Sequence, residues 1–337
     1  MAPLTGFARR LLGGRSRRRM RWARRHLVIV TAIALVAALL AVMLWPMSRR
    51  LIAPSVVTLA AVGDMACDPA DPDLKPPGEP PGDRCRHQSV SDIAVAMNPT
   101  YLLALGDVQY EVPTGESYRT VYGPSWGRLR DRTVPVFGNQ EYKVQDASSF
   151  KAYFGNRIRD PRGYWSEEIG QWHLVVLNSN CSAAAGGCGT GSPQQTWLAA
   201  DLAANDARCV IAAWHHPRWS NGIAGPDDRT ADLFRTLYEN RVELVLSGHE
   251  AHYERFGPLN PDGRPDDKGV RQFVAGTGGQ AHYRPDIAPV GAPAGEYTDF
   301  DHHGVLGLTL RPDSYEWGFH PLDGGSAVED EGEARCH

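Results

Sequence analysis

The chain has 337 residues, 42% apolar and 22% charged, a globular balance that excludes a disordered or low-complexity protein and allows one large domain or two small ones. Its net charge of −4 hides a split: residues 1–26 carry nine Arg and no acid, and setting those nine aside leaves 26 basic residues against 39 acids, a net of −13 over residues 27–337. An acidic body lacks the basic footprint of a general nucleic-acid binder, so no nucleic-acid partner is expected.

After the Arg-rich segment 1–26, residues Leu27 to Trp45 run nineteen long without a charge. At about 1.5 Å per residue they span about 28 Å, close to the hydrocarbon core of a bilayer. A cleaved signal peptide would have a shorter apolar run and a small-residue cleavage site. Leu-Trp-Pro-Met stands there instead, which predicts an uncleaved single-pass anchor, 27–45. The Arg excess before it places the N-terminus in the cytoplasm, so the body is expected outside the plasma membrane, or secreted if the segment is cleaved. Residues 46–55 read as a linker.

All six cysteines, Cys67, Cys85, Cys181, Cys188, Cys209 and Cys336, follow the apolar segment, and none forms a Cys-x-x-Cys pair. An even number on the exported side predicts disulfides. Cys67 and Cys85 bracket a segment with six Pro, a stapled loop. Cys181 fits Cys188 as a short loop, with Cys209 as a competitor.

Strand and helix patterns alternate from residue 56. Val56–Val62, Tyr101–Leu105, Val134–Phe137, Cys209–Trp214, Val242–Leu246, Val270–Ala275 and Val305–Leu310 read as strands, and Pro135 makes the third an edge strand or a strand start. Tyr164–Asn178 reads as a hairpin turning at Gly170-Gln171. Helices are predicted over Ser89–Met97, after Ser192, and from near Asp228. Ser192 is an N-cap with Pro193 at the first helical position and Gln195 as capping-box partner. Gly276–Gly279 reads as a turn or as part of a site mouth. The acidic tail 323–337 is expected to fray, apart from Cys336.

Five strands end in a residue that can ligate a metal: Asp64, Asp107, Asn139, His215 and His249. Gly precedes four of them, which lets the backbone turn sharply. Each alone reads as a turn residue, a cap or a core histidine. Together they occupy the carboxyl ends of strands, where α/β sheets bind ligands, and their carboxylate, amide and imidazole donors suit borderline divalent ions and Fe(III).

Gly63-Asp64-Met65-Ala66, Gly106-Asp107-Val108-Gln109-Tyr110, Gly138-Asn139-Gln140-Glu141, His215-His216-Pro217 and Gly248-His249-Glu250-Ala251-His252-Tyr253-Glu254-Arg255 together resemble the five ordered blocks of the calcineurin-like metallophosphoesterases, in their purple-acid-phosphatase-like branch. The resemblance implies a four-layer α/β sandwich, two mixed sheets flanked by helices, over residues 56–322. It implies two metal ions, iron with zinc, manganese or a second iron. Asp107 would bridge them, Asp64 and Tyr110 would bind the first, and Asn139, His215 and His249 would complete the second. His216 would lie behind the metal or touch substrate, and Glu141 would support the ligands.

Two positions depart from that pattern. Gln140 stands where the family has a histidine, and an amide can hydrogen-bond but not protonate a leaving group. Ala251 stands where a second histidine would bind the first metal, and His252 follows one residue later, on the opposite side of an extended segment. Gln140, His216 and His252 are therefore the candidate catalytic side chains, and the first metal site is expected to be weak or empty. The implied function is hydrolysis of a phosphorylated small molecule or polymer by metal-activated hydroxide, phosphomonoesters first and diesters or nucleotides second. A catalytically weakened binding or scaffold protein is the alternative.

Overall fold

The computed structural model describes residues 35–36, 56–75, 79, 82–287, 289–324 and 330–337. The chain divides into two compact units, Met1–Ala53 and Pro54–His337. The expected membrane segment 27–45 lies outside the described residues except for Leu35 and Val36, which are helical and exposed. Among the described residues no helix is long and apolar enough to cross a membrane.

The second unit is built on two mixed sheets. In chain order the strands are β1 (Val57–Val62), β2 (Tyr101–Ala104), β3 (Thr133–Pro135), β4 (Trp165–Ile169), β5 (Trp172–Val176), β6 (Cys209–Ala213), β7 (Leu244–Ser247), β8 (Tyr253–Leu259), β9 (Val270–Ala275), β10 (Tyr297–Asp299), β11 (Gly304–Leu310), β12 (Ser314–Pro321) and β13 (Asp330–Arg335). The first sheet runs β13-β12-β11-β1-β2-β3 and the second β10-β8-β9-β7-β6-β5-β4. β3 lies at a sheet edge, as Pro135 requires. The longer helices are α1 (His87–Met97), α2 (Ser148–Phe154), α3 (Pro193–Ala204) and α4 (Ala231–Glu239).

Period-two patterning explains the layering, because successive side chains of a strand leave opposite faces. Trp172, Leu174 and Val176 join Ile211, Ala213 and Leu246 in the core shared with the first sheet. Val175, Val210, Ala212 and Val245 leave the other face and pack under Leu198 and Leu202 of α3 and Leu233, Phe234 and Leu237 of α4. α1 sets Val90 and Ala94 into the core beside the first sheet. The α3 cap differs from the sequence expectation in one bond. Ser192 Oγ accepts from Gln195 N at 3.2 Å, but Gln195 Oε1 accepts from Gly191 N rather than from the cap itself.

The tail contradicts the expectation of fraying, since β13 pairs antiparallel with β12. Three side chains and a disulfide hold it. Asp330 accepts from Tyr253 Oη at 2.7 Å and from Arg255 Nε at 2.9 Å, and Cys336 is bonded to Cys209. The other disulfides are Cys67–Cys85 and Cys181–Cys188, so the competition for Cys181 resolves in favour of the short loop.

Candidate metal centre

The carboxyl ends of β1, β2, β3, β6 and β7 bring Asp64, Asp107, Asn139, His215 and His249 together. Asp64, Asp107 and His249 hold φ angles of 56°, 50° and 70°. Left-handed backbone is costly for residues other than glycine and persists where the surroundings over-determine it. The neighbouring glycines leave room for this turn. At Gly106, φ is 89° and a Cβ would sit 2.6 Å from His215 Nδ1; at Gly138 a Cβ would run into the Asp107 carboxylate.

Both Asp64 and Asp107 are fixed on both oxygens. Asp107 Oδ1 accepts from Gln140 N at 2.7 Å, and its Oδ2 lies 3.3 Å from His215 Nε2. Tyr110 donates its hydroxyl to Asp64 Oδ1 at 2.6 Å and also lies 3.1 Å from Asp107 Oδ2. Asp64 Oδ2 accepts from His249 N at 2.7 Å. Behind them Glu141 accepts the backbone N–H groups of Asp107, Val108 and Gly138 at 2.7–3.0 Å, clamping the second and third turns together.

His215 shows what this arrangement can hold. Its Nδ1 lies 2.7 Å from Leu105 O. A carbonyl only accepts, so Nδ1 carries the proton and a neutral ring would leave Nε2 with a lone pair. That nitrogen faces Asn139 Oδ1 at 3.1 Å and Asp107 Oδ2 at 3.3 Å. Acceptor oxygens meet a nitrogen lone pair there, an arrangement that a proton or a cation between them would satisfy. Burial disfavours the charged ring, but Asp107, Asp64 and the Leu105 carbonyl together outweigh it and raise the His215 pKa to about 9. A metal ion would take that proton's place, so the donor set fits one.

The surrounding charges follow from burial. It pushes Asp64 up to about 7 against the opposing pull of His215, and Glu141 up to about 8 with help from Asp107. The Tyr110 phenol is driven well above its usual range by burial and by the two aspartates, so it keeps its proton. His249 falls to about 4 through burial and the His215 charge.

Of the candidate catalytic residues, the structure brings two to the centre. Gln140 is buried, its backbone N–H holds Asp107, and its side-chain Oε1 has no hydrogen-bond partner. The His216 ring lies 4.4 Å from that of His249 and 4.8 Å from that of His215, centroid to centroid. His252 points elsewhere. It is fully buried, with Nε2 3.1 Å from Glu254 Oε2 and its ring stacked on Phe300. The chain is not re-routed to restore a ligand, and Ala251 instead joins Asp64, Tyr110, His249, Glu250 and Tyr283 around a cavity of about 340 Å³.

Sequence reasoning missed Ser179 and understated Glu250. Ser179 Oγ lies within 3.2 Å of the backbone nitrogens of both His215 and His216. Its signal was available: Asn178-Ser179-Asn180 follows β5 at the same topological edge as the other site residues. Glu250 accepts from Ala224 N and Gly225 N, fixing a loop beside the cavity. The Gly276–Gly279 turn supports the site from behind, with Gly278 N donating to Gly63 O at 2.9 Å.

Comparison with known proteins finds purple acid phosphatases among the relatives of this chain. Purple acid phosphatase 21 of Arabidopsis thaliana is 29% identical over 194 residues, covering 50% of this chain and 43% of the relative. Purple acid phosphatase 18 of the same plant is 30% identical over 122 residues, 34% of this chain and 26% of the relative. The chain thus spans less than half the length of these curated relatives. Among solved structures, a purple acid phosphatase from yellow lupin seeds superposes with a TM-score of 0.61 at 16% identity, covering 83% of this chain and 53% of that one. GAP50, described as the anchor in the inner membrane complex of Plasmodium, superposes at 0.59 with 13% identity, covering 84% and 90%. At such identities these two likenesses speak for the fold alone. The model of the calcineurin-like phosphoesterase family matches residues 60–253, a span that contains Asp64, Asp107, Tyr110, Asn139, His215 and His249, and the chain belongs to that family.

Proposed function

We propose that this chain is a metal-dependent phosphoester hydrolase that acts on phosphomonoesters outside the plasma membrane. The observation that carries the reading is the convergence of Asp107 Oδ2, Asn139 Oδ1 and His215 Nε2 on one point. Asp107, Asn139, His215 and His249 would hold one ion, and Asp64, Asp107 and Tyr110 the other. Carboxylate, phenolate, amide and imidazole donors suit iron paired with zinc, manganese or a second iron. Bound ions polarise a phosphoryl oxygen and lower the pKa of water towards neutrality.

The chain's own residues supply orientation. Gln140, Tyr110 and Glu141 hold Asp107 and its turn in place. Tyr110 has to give up its proton to serve as a ligand, which ties the first site to pH. Ala251 leaves that site one ligand short, so it is the weaker of the two. Gln140 can orient a phosphoryl oxygen but not protonate a leaving group. These two substitutions favour a second reading, a weakened enzyme acting as a binding or scaffold protein. Diester or nucleotide hydrolysis is the alternative substrate class. Assay of p-nitrophenyl phosphate with metal content measured in parallel separates the readings, because the second predicts bound metal without turnover.

Three disulfides support placement outside the cytoplasm, and Leu27–Trp45 is the proposed anchor. N-terminal sequencing of the membrane fraction tests it. Retention of the segment is expected, and a mature chain beginning near residues 45–56 would leave a secreted protein.

A further inference from the structure

His215, His216 and His249 each place a ring nitrogen within 4.8 Å of the others', close enough to draw a three-imidazole metal site. Ser179 argues otherwise. A serine hydroxyl has two acceptor lone pairs and one proton. Ser179 Oγ accepts the backbone N–H of His216 at 2.9 Å and of His215 at 3.2 Å, which occupies both lone pairs. Its proton then goes to His216 Nδ1, 2.8 Å away. Nδ1 is therefore an acceptor, and the neutral ring carries its proton on Nε2. His215 is the opposite case, with its proton on Nδ1 and Nε2 left for a cation. The two adjacent imidazoles are set to opposite tautomers by two different oxygens.

We propose that His216 is not a metal ligand but a neutral N–H donor to a phosphoryl oxygen of substrate or product, with Ser179 as the positioning residue that fixes its tautomer. The proposal rests on the phosphoester-hydrolase reading. It gives a hydrogen-bond donor to the anion on the imidazole side of a centre in which Gln140 has replaced a histidine elsewhere. No proton leaves His216 in this role. It donates one hydrogen bond to an oxygen whose negative charge makes that bond stronger than a neutral one.

The test uses the full chain loaded with metal, and inorganic phosphate as the probe. Metal content and phosphate affinity are measured for wild type, His216→Phe and His216→Gln. Removing a hydrogen bond to a charged group should weaken phosphate binding by about 10- to 100-fold in His216→Phe, with metal content unchanged. His216→Gln keeps an N–H donor and should lose clearly less. Imidazole ¹⁵N NMR of wild type should show His216 protonated on Nε2, and this readout holds even if a variant fails to fold. Loss of metal in His216→Phe, unchanged phosphate affinity with metal retained, or an Nδ1-protonated ring would each overturn the assignment. A wild type that takes up no metal, or binds metal but no phosphate, would overturn this proposal together with the broader reading.

Discussion

Gln140 and Ala251 stand where the centre departs from the family pattern, and both face it without serving as first-choice catalytic groups. Gln140 lends a backbone N–H to Asp107 while its side-chain oxygen stays unpaired; Ala251 borders the cavity beside Asp64. The double change Gln140→His and Ala251→His should therefore raise p-nitrophenyl phosphate turnover by about 10²-fold or more, since acid assistance alone is worth about 10²–10⁴. The single variants separate the causes, with Gln140→His acting on the chemical step and Ala251→His on metal occupancy. An unchanged double variant with both ions bound would remove the catalytic meaning of these two positions. At this scale Asp64, Asp107, Asn139 and His249 were legible as candidate ligands because an Asp, Asn or His after Gly at a strand end is chemically distinctive. Ser179 went unread although it follows a strand end, because what sets it apart is which backbone N–H groups reach its hydroxyl. His252 was ambiguous because sequence adjacency does not say which way a loop turns, and the structure turns it to Glu254.

Among the elements, the β4–β5 hairpin carries a pH-sensitive tie to α3. His173 on β5 lies 2.7 Å from Asp201 of α3 and 2.9 Å from Glu168 of β4. Burial disfavours the charged ring, yet the hydrogen bonds to these two carboxylates raise its pKa to about 9. A raised folded-state pKa stabilises the fold fully below the unfolded value near 6.5, and that stabilisation is lost as pH rises through 9. The shift is worth about 3 kcal/mol. Denaturant midpoints should therefore fall between about pH 6.5 and 9.5, and His173→Gln should flatten this dependence; an equally steep fall in the variant would refute the assignment. The hairpin and helices α1, α3 and α4 were readable from periodicity and caps. β8 was hidden by Gly257-Pro258 and a register shift between Arg255 and Pro258. β12 alternates Tyr315, Trp317 and Phe319 inward, a legible pattern left unread, whereas β13 has almost no apolar signal and is held, besides its pairing with β12, by Tyr253, Arg255 and Cys209, all distant in sequence.

Across the whole molecule, the two sheets share one core and are joined by Cys209–Cys336, whose partners lie 127 residues apart. Cys209 sits on β6 of the second sheet, and Cys336 directly follows β13 of the first. A closure this long restricts the unfolded chain strongly. Replacing both cysteines by alanine should cost about 2–5 kcal/mol, read as a lower unfolding midpoint; an unchanged midpoint would mean that β12–β13 pairing alone secures the tail. The same joining of sheets assembles the centre, because β1, β2 and β3 supply Asp64, Asp107 and Asn139 while β6 and β7 supply His215 and His249. The most direct test of metal-dependent hydrolysis at that centre is p-nitrophenyl phosphate turnover by the full chain before chelation, after it and after metal is restored, with metal content followed throughout. The expected result is turnover that disappears with the metal and returns with it, the first ion leaving under mild chelation before the second. Turnover that survives complete removal of metal, or no turnover with both ions bound, would contradict it.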